Sequence, residues 1–126
     1  MARKHAWGAL AVCGLVAALS LAAAAQNPVD IAGRYSVVGV NPDGGMYQGR
    51  AEISKRGATY RIRWVIGVSE TYEGVGILEG DVLAVSFSSG TSSGVVVYRV
   101  DKGKLLGRWA LLGSDAVHSE TLTREL

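Results

Sequence analysis

The chain has 126 residues, 48% of them hydrophobic and 19% charged, with 13 Lys and Arg against 11 Asp and Glu. The excess of +2 is carried by Arg3 and Lys4, so everything after them is balanced and lacks the net basic face that a nucleic-acid partner requires. The one cysteine, Cys13, lies in the same early segment, which excludes disulfide and thiolate chemistry from the rest of the chain.

Residues 1–25 read as an export signal. Arg3 and Lys4 give a positive start, the run from Ala9 to Ala25 is almost wholly apolar, and it ends in Ala22-Ala23-Ala24-Ala25. Those small side chains suit signal peptidase, with cleavage before Gln26, and the run is shorter than a spanning helix wants. Cys13 reads as an ordinary apolar residue of the signal, because Val12 stands where a lipobox needs a small residue. Residues 26–30 form a short linker, and residues 31–126 form one domain with enough chain for a single core.

The domain opens on IAGRYSVVGV at 31–40, rich in β-formers and ended by the turn signal Asn41-Pro42-Asp43-Gly44-Gly45. Next come YQGRAEI at 47–53 with its continuation SKRGATYRIRW, and then a second version, YEGVGIL at 72–78 with EGDVLAVSF. With two residues removed at the turn, Tyr47, Gly49, Ile53, Gly57, Tyr60, Ile62 and Trp64 fall against Tyr72, Gly74, Leu78, Gly80, Leu83, Val85 and Phe87. The matched positions are mostly two apart, which is the strand period. Gly57 and Gly80 stand where each arm must reverse, so the repeat predicts a β-hairpin used twice. SFSSGTSSG at 86–94 reads as a flexible loop. VVVYRV at 95–100 turns at Asp101-Lys102-Gly103 into KLLGRWAL, and VHSETLTR from Val117 supplies the last strand.

No segment of 26–126 carries a period of 3.6, so the fold class is all-β. Strands joined in succession by tight turns predict a single small antiparallel up-and-down β-barrel of about eight strands. A two-sheet β-sandwich is the alternative. Period two turns Ala51, Ile53, Ile62, Leu83 and Val85 inward and Arg50, Glu52, Arg61, Arg63 and Arg108 outward. Mid-strand charges on the outer face exclude a lipid-facing barrel, where each would cost about 2–4 kcal/mol at the midplane.

A catalytic set is missing from the pattern: residues 26–126 contain one histidine, His118, and no G-x-S-x-G elbow. His118, Glu120 and Asp115 are too loosely placed to read as a metal site, and no cofactor is implied. If Leu122 faces the core, period two places Glu120 on the same side, where a carboxylate needs a partner. Exposure near a barrel rim is the simpler expectation for Glu120, and anchorage of the closing strand or of a ligand is the sharper one. Asp43 stands alone in its loop, which makes the segment a turn and not a calcium site.

Two groups are candidate binding residues. Tyr47, Tyr60, Trp64, Tyr72 and Trp109 either pack the interior or line a pocket at the barrel mouth, with packing favoured because eight strands enclose little space. Arg61 and Arg63 share one outer strand face and form a candidate partner-binding patch, with Glu52 and Glu73 as cross-strand neighbours.

The order of motifs carries a resemblance. Gly33-Arg34-Tyr35, Asn41 to Gly44, Tyr47 to Gly49, Tyr60 to Gly67, Tyr72 to Gly76 and Tyr98 to Trp109 together resemble a family of small exported bacterial proteins commonly labelled fibronectin-binding. Gly33-Arg34-Tyr35 and Gly107-Arg108-Trp109 also resemble the G-x-W strand starts of lipocalin-like and avidin-like barrels, with Tyr35 where the first Trp would stand. The first resemblance implies a fibronectin-type partner. With the export signal, the missing catalytic set and a filled interior it gives the leading reading: an exported, periplasmic or secreted, non-enzymatic protein that recognises a protein partner, of fibronectin type or a periplasmic hydrolase that it inhibits, through loops and outer strands. The second implies the alternative, a carrier of a small hydrophobic ligand inside the barrel.

Overall fold

The structure, a computed structural model, describes residues 29–126; the export signal expected over 1–25 and the start of the linker lie outside them. Eight strands follow one another in chain order: β1 (Gly33–Val40), β2 (Met46–Arg56), β3 (Thr59–Ile66), β4 (Glu70–Glu79), β5 (Val82–Ser89), β6 (Ser92–Asp101), β7 (Lys104–Leu111) and β8 (His118–Arg124). Each pairs antiparallel with the next, and β8 pairs back onto β1, which closes the sheet into a barrel. The predicted up-and-down barrel is therefore the fold, and the sandwich is not formed. Closure removes both sheet edges and with them the unpaired backbone groups an open sheet would present.

The repeat noted in the sequence forms the β2–β3 and β4–β5 hairpins. Gly57 and Gly80 take φ of 59° and 60° at their turns, a conformation that L side chains rarely adopt. The serine-rich stretch 86–94, expected as a flexible loop, instead forms a third tight hairpin: β5 runs to Ser89, β6 starts at Ser92, and only Gly90 and Thr91 lie between. Serine has weak strand preference of its own. Pairing with neighbours on both sides overrides it, and Phe87 supplies the inward anchor.

Strand alternation sorts the residues by face. Tyr35, Val37, Ile53, Ile62, Leu83, Tyr98, Leu105 and Leu122 are each no more than 2% exposed and fill one half of the barrel. That half is closed from below by residues just before β1: Ile31 is buried against the core, and Tyr35 Oη donates to the Ile31 carbonyl at 2.7 Å. Arg124, at the end of β8, donates to the carbonyls of Ala32 and Asp30 at 2.9 Å each and lies over the Tyr35 ring at 5.3 Å. The chain entering the barrel is thus tied to the strand that completes it.

The outer face is less uniformly charged than the alternation predicts. Arg50, Arg61, Arg63 and Arg108 are exposed. Yet Val75, Ile77, Val95 and Val97 are 46–60% exposed on β4 and β6. Val75 is in register with Ser86, which pairs with Val95, and Ile77 with Ala84, which pairs with Val97. The result is an apolar strip across three strands.

Candidate functional site

The opposite end of the barrel is open. Its rim is built by the connections 41–45, 67–69, 90–91 and 112–117, which join β1 to β2, β3 to β4, β5 to β6 and β7 to β8. Below the rim lies a cavity of about 650 Å³. Its walls are Tyr47, Trp64, Ile66, Tyr72, Phe87, Val96, Trp109 and Leu111, and Glu120 contributes the buried polar surface. The expectation that the interior is packed by its own side chains thus holds for the lower half alone. Eight strands enclose a space that either outcome can occupy. In the upper half the aromatic rings stand against the wall and pair edge to face, which leaves the axis free. Trp64 and Tyr72 each meet Phe87 with centroids 6.0 Å apart, and Tyr47 meets Trp109 at 6.4 Å.

Of the five aromatic candidates, Tyr47, Trp64, Tyr72 and Trp109 line this cavity. Tyr60 does not: it is buried in the closed half, two residues from the β2–β3 turn, with Lys55 Nζ 5.9 Å from its ring centroid. Arg61 and Arg63 are exposed on the outer face of β3, away from the cavity. Arg63 is in register with Glu52 and Glu73, but among the described residues it forms a salt bridge with neither. Among the described residues the one salt bridge joins Glu52 to Arg34, at 3.9 Å and largely exposed, a geometry that contributes little.

Glu120 is 7% exposed, so its side chain is buried and not displayed at a solvated rim. Tyr47 Oη donates to Oε1 at 2.7 Å, and Tyr98 Oη donates to Oε2. Trp64 Nε1 in turn donates to Tyr98 Oη at 3.2 Å. Every donor in this chain points toward the carboxyl group, and no cation is among its partners. Burial drives the Glu120 pKa upward from its ordinary 4.5, and the hydrogen bonds from Tyr98 and Tyr47 pull it back in part. The same burial and the neighbouring carboxyl raise the pKa of Tyr98 and of Tyr47, so both phenols keep their protons.

Backbone register explains how tyrosines from strands two places away reach one carboxyl. Glu120 on β8 is in register with Gly39 on β1, and Gly39 with Tyr47 on β2. On the other side Glu120 is in register with Gly107 on β7, and Gly107 with Tyr98 on β6. Each phenol lies over a glycine to meet Glu120. A Cβ on Gly39 would overlap the Tyr47 ring, and one on Gly107 would stand 2.6 Å from Tyr98 Cε1. Tyr98 and Gly107 enter the sequence pattern as motif positions, but neither they nor Gly39 are among the candidate site residues. Their signal was present: Tyr98 alternates inward with Val96, and both glycines interrupt inward-facing strand positions.

Toward the rim, burial, and with it the hydrogen bond that Tyr72 Oη donates to Glu70, pushes the Tyr72 pKa up to about 12. His118 stacks on Trp109 with centroids 4.7 Å apart. Trp109 Nε1 is buried, with no hydrogen-bond partner among the described residues. No three His, Cys, Asp or Glu side chains gather closely enough to hold a metal ion among the described residues. The arrangement can enclose an apolar body, present a hydrogen-bonding group at its base, and hold that group in a fixed orientation.

No family model matches the chain, and no curated protein matches it. Solved structures do. A redesigned β-barrel aligns with a TM-score of 0.66 at 19% identity, over 75% of this chain and 91% of its own. The redesigned barrel mFAP1, bound to DFHBI, aligns with a TM-score of 0.62 at 21% identity, over 74% and 94%. A structure described as the REP1-NXSQ fatty acid transporter aligns with a TM-score of 0.52 at 13% identity, over 75% and 96%. At these identities the likeness is one of fold, and the fold shared is a small closed β-barrel.

Proposed function

We propose that the protein is an exported, non-enzymatic carrier that binds a small hydrophobic ligand in the open half of its barrel. The observation that carries this reading is the cavity of about 650 Å³, walled by Tyr47, Trp64, Tyr72, Phe87 and Trp109 and floored by one oriented carboxyl group. Small-molecule sites are typically concave spaces of about 300–1,000 Å³ with apolar walls and a few placed polar groups. Two of the similar barrels add support, since one is bound to DFHBI and another is named a fatty acid transporter.

The test is the emission of Trp64 and Trp109, the two tryptophans left once residues 1–25 are removed, during titration with lipids, haem and quinones. A saturable change with at least one class supports the carrier. Flat emission across the panel, from a protein that remains folded, overturns it.

A second reading, recognition of a protein partner, is favoured by the apolar strip of Val75, Ile77, Val95 and Val97 on the outer strands. Exposed apolar patches of this kind mark protein contacts. Immobilised fibronectin and a panel of periplasmic hydrolases test it. Saturable binding that Val95→Lys abolishes supports the reading, and no saturable binding to any of them counts against it.

A further inference from the structure

Within the carrier reading, on which this inference rests, the cavity's charge pattern narrows the ligand. Among the described residues its lining holds two carboxyl groups, Glu120 at the base and Glu70 toward the rim, and no Lys, Arg or His. His118, the nearest candidate cation by sequence, stacks on Trp109 and does not line the space. Glu120 is therefore a buried carboxyl whose partners, among the described residues, are neutral hydroxyls.

The hydrogen-bond directions sharpen the point. A carboxylate offers about four lone-pair sites, and the two phenols fill one on each oxygen. Trp64 Nε1 already donates to Tyr98, which leaves the Tyr98 hydroxyl proton for Glu120. The array is thus arranged for an acceptor at its centre, with lone pairs to spare. A buried carboxylate without a counter-ion is costly, and an ammonium group supplies the counter-charge and donates to the lone pairs that the two phenols leave open. The walls suit the same group: Tyr47, Trp64 and Trp109 place aromatic surface around the carboxyl, and aromatic faces attract cations.

We propose that the ligand class is a hydrophobic amine, its apolar body in the aromatic cavity and its cationic nitrogen against Glu120. A fatty-acid carboxylate of the same length meets two acids and no cation, and is disfavoured.

Three probes of one chain length separate the possibilities: decylamine, decanol and decanoate, each below its self-association limit, titrated calorimetrically into the protein and into Glu120→Gln. Decylamine binds about tenfold or more tighter than decanol, as expected for a charge-assisted contact in a desolvated site, and decanoate binds weakest. In Glu120→Gln the ratio of decylamine to decanol affinity falls about tenfold or more, whatever happens to the affinity for decanol itself. Decanoate binding as tightly as decylamine overturns the assignment, as does an amine preference that survives in Glu120→Gln. The ranking in the unaltered protein decides the matter even if the variant folds poorly. If decanol and decanoate bind but amines do not, the carrier stands and the amine class falls; if none of the three binds, both fall.

Discussion

Tyr98 reaches Glu120 across Gly107, which lies between them on β7 in register with both. The contact joins residues 22 apart in sequence and depends on a third residue having no side chain. Gly107→Ala tests that dependence. The added Cβ would stand 2.6 and 2.7 Å from ring carbons of Tyr98 and 3.0 Å from the Glu120 carbonyl oxygen, so the ring must move. Chemical denaturation is expected to show a loss of about 1–3 kcal/mol, the usual cost of overpacking. An unchanged midpoint would mean that Tyr98 has room to spare.

Tyr98→Phe removes the hydroxyl and keeps the ring. Trp64 Nε1 then loses its acceptor and Glu120 loses a donor, both in buried surroundings. The expected cost is about 1–3 kcal/mol. A double-mutant cycle with Glu120→Gln should return a non-zero coupling energy, because the two residues act as a pair. Simple additivity would contradict the hydrogen bond.

Stability should depend on pH through Glu120 in the direction opposite to that of an ordinary ion-paired acid. The folded carboxyl holds its proton above the usual 4.5, at pH values where the unfolded chain has released it. The folded state then binds more protons than the unfolded state, so this contribution to stability is largest below 4.5 and declines as pH rises through the raised pKa. Subtracting the pH profile of Glu120→Gln from that of the unaltered protein isolates the effect. The difference should fall as pH rises above 4.5. A difference that rises would reverse the sign of the shift.

Arg124→Ala should loosen the closed end and spare the cavity. The guanidinium holds the carbonyls of Ala32 and Asp30 and covers the Tyr35 ring. Its loss is expected to cost about 1–3 kcal/mol and to speed amide exchange in residues 30–35. Decanol affinity should be unchanged. A change in both would mean that the two halves of the barrel are coupled.

The fold was legible because its information is local. Period two over each strand, glycines such as Gly57 and Gly80 at the reversals, and the repeated hairpin all lie within a few residues of one another. The misread stretch at 86–94 is instructive for the same reason: local serine content argued for a loop, while pairing to β4 and β7 on either side is what makes β5 and β6 strands. The floor of the cavity was hidden because its contacts are distant. Tyr47 and Glu120 are 73 residues apart and meet through the β1–β8 closure, whose register no local pattern specifies. Trp64 and Trp109 were identifiable as inward aromatics, but whether such rings fill a barrel or line it depends on where each ring leans. Their edge-to-face contacts with Phe87 and Tyr47 decide that, and those contacts are long-range as well.

The central claim is that hydrophobic molecules enter the open half of the barrel, and the indole N–H resonances of Trp64 and Trp109 report on it most directly. On titration with decanol both should move saturably, together with the backbone amides of Phe87 and Val96, while those of Arg61 and Arg63 on the outer face stay fixed. Indole signals that stay in place, with any shifts confined to the outer strip of Val75, Ile77, Val95 and Val97, would contradict it.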